Sequence, residues 1–168
     1  MSDIRAIQCD ITSLHVDAIV NAANATLLGG GGVDGAIHAA AGPGLLRACQ
    51  QLGGCAAGEA KMTDGYDLPA RFVIHTVGPV WRGGGEGEAD TLVSCYHNSL
   101  RVAVERGIAS IAFPAIATGV YGYPAQQAAR IAIRECLDFL DQHGVPELVI
   151  FACFDAPMLK IYQALLGK

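Results

Sequence analysis

Apolar residues along the 168-residue chain fall in short blocks separated by polar or glycine-rich turns, and their spacing changes from block to block. Residues 4–9, 18–21, 59–63, 72–76, 110–114 and 148–153 form compact apolar runs, the pattern of strands covered on both faces. Over 33–41, 44–51, 89–106, 124–143 and 156–166 hydrophobic positions return every three or four residues, which predicts five helices, the first two parted by Gly42-Pro43. This alternation predicts an α/β layered fold with about six strands and helices on both faces of the sheet. The length fits a single domain over 1–168. No internal repeat is present, and the glycine-rich segment 82–88 reads as a flexible connector.

Composition sharpens this reading. Hydrophobic residues make up 52% and charged residues 16%, below the ~25% usual for globular domains, which excludes disorder and a coiled coil. A domain of this size buries ~70% of the surface its unfolded chain exposes and needs no disulfide or structural metal. The formal net charge of -5 argues against unaided affinity for nucleic acid or anionic membrane. With no ~18-residue apolar stretch and no signal-like start, the expected location is cytoplasmic, without a membrane partner. The six cysteines show neither C-x-x-C nor zinc-ligand spacing and read as reduced core thiols; no metal ligand is assigned.

Candidate chemistry gathers first around a glycine run. Asn21-Ala22-Ala23-Asn24 follows the second apolar run, then come Gly29 to Gly32 and Val33-Asp34-Gly35-Ala36-Ile37-His38. Consecutive glycines suit close approach of backbone to a ligand, and exposed N–H groups before a helix suit a diphosphate or ribose; a mobile surface loop is the alternative. Asp34 has two readings, a helix N-cap or a carboxylate beside a bound sugar that orients or deprotonates water. Asn21 and Asn24 are either Asx-turn residues or partners of ribose hydroxyls. His38 lies one turn beyond Asp34 and reads as a packed residue. The run 30–35 also matches G-x-G-x-x-G, but it starts about eight residues after its strand and lacks the later acidic partner, so a nicotinamide oxidoreductase is the minor reading.

A second loop, Ala117-Thr118-Gly119-Val120-Tyr121-Gly122-Tyr123, ends at Pro124 before a helix. The N–H groups of Thr118 to Tyr121 are placed to cradle phosphate oxygens, with a plain strand-to-helix turn as the alternative. Asp10, at the end of the first strand, is either a turn aspartate or an acceptor for an exocyclic amine such as that of adenine. Phe154, after the last strand, either packs in the core or stacks on a base.

Taken in order, Asp10-Ile11-Thr12, Asn21-Ala22-Ala23-Asn24, Gly29 to His38, Ala41-Gly42-Pro43, Gly58-Glu59-Ala60, His75-Thr76-Val77-Gly78-Pro79-Val80-Trp81 and Thr118 to Pro124 make the chain resemble a MacroD-type macrodomain over nearly its full length. The resemblance implies a three-layer α/β/α fold with a mixed six-stranded sheet. It also implies an ADP-ribose cleft and metal-free, cofactor-free hydrolysis of ADP-ribosyl or O-acetyl-ADP-ribose esters; a non-catalytic ADP-ribose reader is the alternative. The implied partners are an ADP-ribose-containing small molecule or an ADP-ribosylated protein, and nucleic acid only at ADP-ribosylated ends. Carried over, Asp10, Ile11 and Phe154 would hold adenine, while Thr118, Gly119 and Val120 would hold the diphosphate. Tyr121 would close over the distal ribose, and Asn21, Gly31, Gly32 and Val33 would complete the binding surface. Asn24 and Asp34 would be the catalytic pair at the distal ribose. Three positions depart from the family pattern: Cys9 stands for a glycine, Ala117 for a serine and Ala39 for an arginine.

Overall fold

The computed structural model describes residues 2–167. Six strands, β1 (Asp3–Gln8), β2 (Ala18–Ala23), β3 (Ala60–Asp64), β4 (Phe72–Val77), β5 (Ser110–Phe113) and β6 (Leu148–Cys153), form one sheet in the order β1-β6-β5-β2-β4-β3. Every neighbouring pair is parallel except β3 with β4, so the sheet is mixed, as the resemblance implied. The helices are α1 (Gly32–Ala41), α2 (Pro43–Leu52), α3 (Glu88–Glu105), α4 (Ala125–His143) and α5 (Ala156–Leu166).

Period-two alternation divides each central strand between two cores. Ala18, Val20, Ile74, Ile111, Phe113, Val149 and Phe151 pack toward α3, α4 and α5. Ile19, Val73, Val77, Ala112, Ile150 and Ala152 pack toward α1 and α2. That double burial is why these strands read as continuous apolar runs. Glycines mark the helix ends: Gly42 (φ +81°) closes α1 with Pro43 opening α2, and Gly144 (φ +69°) ends α4 in the left-handed conformation.

The structure differs from the sequence expectation at three places that bear on function. Strand β2 does not stop at its polar residue: pairing with β4 continues through Asn21↔His75 to Ala23↔Val77. Strand β5 ends at Phe113, since Pro114 has no N–H to give a ladder. Segment 82–88 is pinned rather than free, because the Glu88 carboxylate accepts from the backbone N–H groups of Arg82, Gly84 and Glu86 at 2.6–2.9 Å. Those hydrogen bonds, Arg82 first, hold the Glu88 carboxyl down at about 2. Among the described residues no helix is long and apolar enough to cross a membrane.

Candidate active site

The carboxyl ends of β1, β2, β5 and β6 open onto a cleft of about 710 Å³, the place where α/β sheets bind ligands. Its first wall is the glycine loop with the start of α1, its second the loop after β5. Cys9, Asp10 and Ile11 beyond β1, with Phe154 and Asp155 beyond β6, close the far end. Of the residues singled out from the sequence, Asp10, Ile11, Asn24, Gly31, Gly32, Val33, Asp34, Thr118, Gly119, Val120, Tyr121 and Phe154 all border this one cavity.

Asn21 does not border it, which corrects the expectation of ligand contact. It is fully buried on the α1 and α2 side of the sheet, below the cleft, where its Nδ2 lies 2.9 Å from Asp34 Oδ1 and 3.1 Å from His75 Nδ1. The helix-cap reading of Asp34 is also overturned. Helix α1 starts three residues earlier than the cap would require, with Gly31 as its N-cap and no side chain bonded there. Asp34 sits instead in the first turn, only 4% exposed, its Oδ1 held by Asn21. His38 Nε2 lies 3.4 Å from the same oxygen, is buried and makes no hydrogen bond among the described residues.

Asn24 takes the Asx-turn role and also borders the cleft. Its Oδ1 accepts from Thr26 N–H (3.1 Å) and Thr26 hydroxyl (2.6 Å), and its Nδ2 donates to Gly29 carbonyl (2.9 Å), an arrangement that shapes the loop. The same Nδ2 and Asp34 Oδ2 each come within 3.3 Å of where a Cβ on Gly30 would stand. An amide donor and a carboxylate acceptor therefore converge beside bare backbone at the cleft wall.

Asp10 behaves likewise: its Oδ1 accepts from Thr12 N–H and hydroxyl, capping the short 3₁₀ turn Ile11–Ser13, while the residue borders the cleft. Phe154 is 88% exposed and Val120 97% exposed, so the core-packing reading of Phe154 fails and two exposed apolar side chains border the cleft.

Among the described residues no lysine or arginine lines the cavity, and Asp10, Asp34 and Asp155 do. An anion there meets no cationic side chain among the described residues and depends on neutral donors, backbone N–H groups foremost. The Gly119, Val120 and Tyr121 N–H groups donate to no backbone carbonyl among the described residues. The Gly32 and Val33 amides, in the first turn of α1, have no acceptor in the helix. The 117–123 loop is braced by Tyr123 N–H to Ala117 carbonyl and Gly122 N–H to Gly119 carbonyl, both 2.9 Å. Ala117 holds φ +69°, which strains a residue other than glycine. Trp81 donates its N–H to Tyr121 carbonyl at 2.8 Å and stacks, tilted, on Tyr123 at 4.6 Å.

Sequence reasoning gave no role to His75, Thr63, Trp81 or Glu88. His75 is fully buried and shares Asn21 with Asp34; burial first, then His38, drives its pKa down to about 4, so the ring is neutral at pH 7. The only sequence signal was a histidine inside an apolar strand, which is common in cores. Burial raises the thiol pKa of Cys9, and of Cys49 to about 11, leaving both protonated. No group of three metal-ligating side chains occurs among the described residues.

Comparison with known proteins agrees with this geometry. Residues 20–132 match the Macro domain family. A Macro domain-containing protein of Chlorobaculum tepidum is 64% identical over 98% of this chain and 95% of its own. A Citrobacter koseri relative named O-acetyl-ADP-ribose deacetylase is 57% identical over 95% of this chain and 92% of its own. The Trypanosoma brucei macrodomain in complex with ADP-ribose superposes with a TM-score of 0.92 at 49% identity, covering 98% of this chain and 69% of that one.

Proposed function

This chain belongs to the Macro domain family, and on that premise we propose that its cleft binds ADP-ribose and hydrolyses esters carried on the distal ribose. The observation that carries the proposal is the convergence of Asn24 Nδ2 and Asp34 Oδ2 beside Gly30, at an uncapped helix start. A binding module needs no buried carboxylate there; an ester hydrolase needs one to place water.

In this reading adenine lies against Phe154 with its amine toward Asp10. The diphosphate takes the free N–H groups of residues 119–121, which explains how an acidic cleft accepts an anion. The distal ribose then rests on Gly31 and Gly32, within reach of Asn24 and Asp34. Water held by Asp34 attacks the ester carbonyl; as the new C–O bond to the acyl carbon forms, the bond between that carbon and the ribose oxygen breaks. A carboxylate and a free ribose hydroxyl leave. The proton lost by water passes either to Asp34 or, with Asp34 only orienting, to a substrate phosphate oxygen, and is handed on to the departing ribose oxygen. Ester-linked ADP-ribose on Asp or Glu side chains and O-acetyl-ADP-ribose present the same linkage, and both are proposed substrates. The name of the Citrobacter koseri relative supports the second.

Chromatography of O-acetyl-ADP-ribose incubated with the folded chain, beside calorimetry with ADP-ribose, tests the reading. Micromolar-range binding with acetate release supports it; binding without release reduces the protein to an ADP-ribose reader, and no binding refutes both.

A further inference from the structure

Behind Asp34 runs a buried chain of polar groups that never reaches the cleft. Thr63 on β3, His75 on β4 and Asn21 on β2 all point to the α1 and α2 side of the sheet. Thr63 Oγ1 lies 2.9 Å from His75 Nε2, and Asn21 Nδ2 spans His75 Nδ1 (3.1 Å) and Asp34 Oδ1 (2.9 Å). Asn21 Oδ1 is buried and has no hydrogen-bond partner among the described residues, so only the two Nδ2 contacts fix which way the amide faces.

From this geometry we infer that His75 is a positioning residue: by keeping Nδ1 bare and its proton on Nε2 toward Thr63, it locks the Asn21 amide with its N–H groups toward Asp34. The inference rests on the hydrolase reading given above. A neutral imidazole has one donor and one acceptor. Were the proton on Nδ1, Asn21 would turn its oxygen to the ring and thereby present an oxygen to the Asp34 carboxylate as well. Asp34 would lose its donor and its fixed rotamer, although His75 does not line the cleft. The same tautomer lets Thr63 Oγ1 accept from Nε2, with Cys49 Sγ 3.7 Å from that nitrogen.

Two substitutions separate positioning from packing. H75F keeps a ring but offers Asn21 no acceptor; H75N loses volume but places an oxygen near the former Nδ1. Positioning predicts that H75F lowers kcat on O-acetyl-ADP-ribose on the order of tenfold or more, the scale of one hydrogen bond to a charged group, with ADP-ribose Kd nearly unchanged. It predicts that H75N retains more kcat than H75F despite a lower melting temperature. The opposite order, or equal losses in kcat and binding, would overturn the inference. Should either variant fail to fold, ¹⁵N-histidine spectra of the parent chain decide. A neutral ring at pH 7 with Nε2 protonated and Nδ1 bare supports the inference, and the Nδ1–H tautomer or an imidazolium overturns it. These spectra do not depend on turnover. A parent chain that releases no acetate would refute the hydrolase reading and leave the tautomer to be judged on its own.

Discussion

Lowering the pH from 7 to 4 should destabilise this protein through His75 alone by about 3 kcal/mol. The ring is fully buried between Asn21, Thr63 and Cys49, with Asp34 and His38 beyond, and its folded pKa is about 4 against an ordinary 6.5. As pH falls below 6.5 the unfolded chain takes up a proton that the folded ring refuses. Stability is therefore complete above pH 6.5 and drains away until the folded ring itself titrates near 4. The difference between 6.5 and 4, at 1.36 kcal/mol for each pH unit, gives about 3 kcal/mol. That is a large share of the 5–15 kcal/mol typical of a domain. Urea unfolding of the parent and of H75N at pH 7.5, 6.5, 5.5 and 4.5 isolates the effect. The variant should be less stable at neutral pH, and the gap should narrow as pH falls through this window. Parallel stability curves for the two proteins would refute the reasoning, because every other titrating group is common to both.

Other expectations follow from the same geometry. E88Q should lower the melting temperature at pH 7 by weakening the clamp on residues 82–86. Since the folded carboxyl titrates near 2, the deficit should fade as pH falls from about 4.5 toward 2; thermal melts across that range check it. G35A puts a Cβ 2.5 Å from the Gly30 carbonyl oxygen and should cost about 1–3 kcal/mol in chemical denaturation, with kcat falling as the glycine loop shifts from Asp34. F154A should leave the melting temperature unchanged, the side chain being 88% exposed, while ADP-ribose affinity measured by calorimetry falls by ~1–3 kcal/mol.

Much of this was legible in the chain. The apolar runs and helical spacings placed each strand and helix within a few residues, because both sheet faces are covered and turn residues punctuate the blocks. The two glycine loops, Asp10 and Phe154 stand out because their composition departs from that of the core, and the fold brings them to one cleft. Asn21 was misread for a physical reason: a polar residue at the end of an apolar run looks like the start of a turn, and only partners distant in sequence, His75 and Asp34, make it tolerable inside β2. The pinning of segment 82–88 was equally hidden, because three backbone donors meet Glu88 only once the glycines have folded around it. Helix α1 begins at Gly32 and not after Asp34, since backbone geometry, unaided by a side-chain cap, starts it. That shift moves Asp34 from a cap to a residue held by the sheet beneath.

The central claim is that Asp34 serves ester hydrolysis and not merely ligand binding. Its most direct test is a time course of ADP-ribose release from a glutamate-linked mono-ADP-ribosylated protein, run with the parent chain and with D34A, each also titrated with ADP-ribose. The account predicts release by the parent, a rate lower by ~10²–10⁴ in the variant, and ADP-ribose affinity that changes far less. Equal release by both proteins, or parallel losses of rate and affinity, would contradict it.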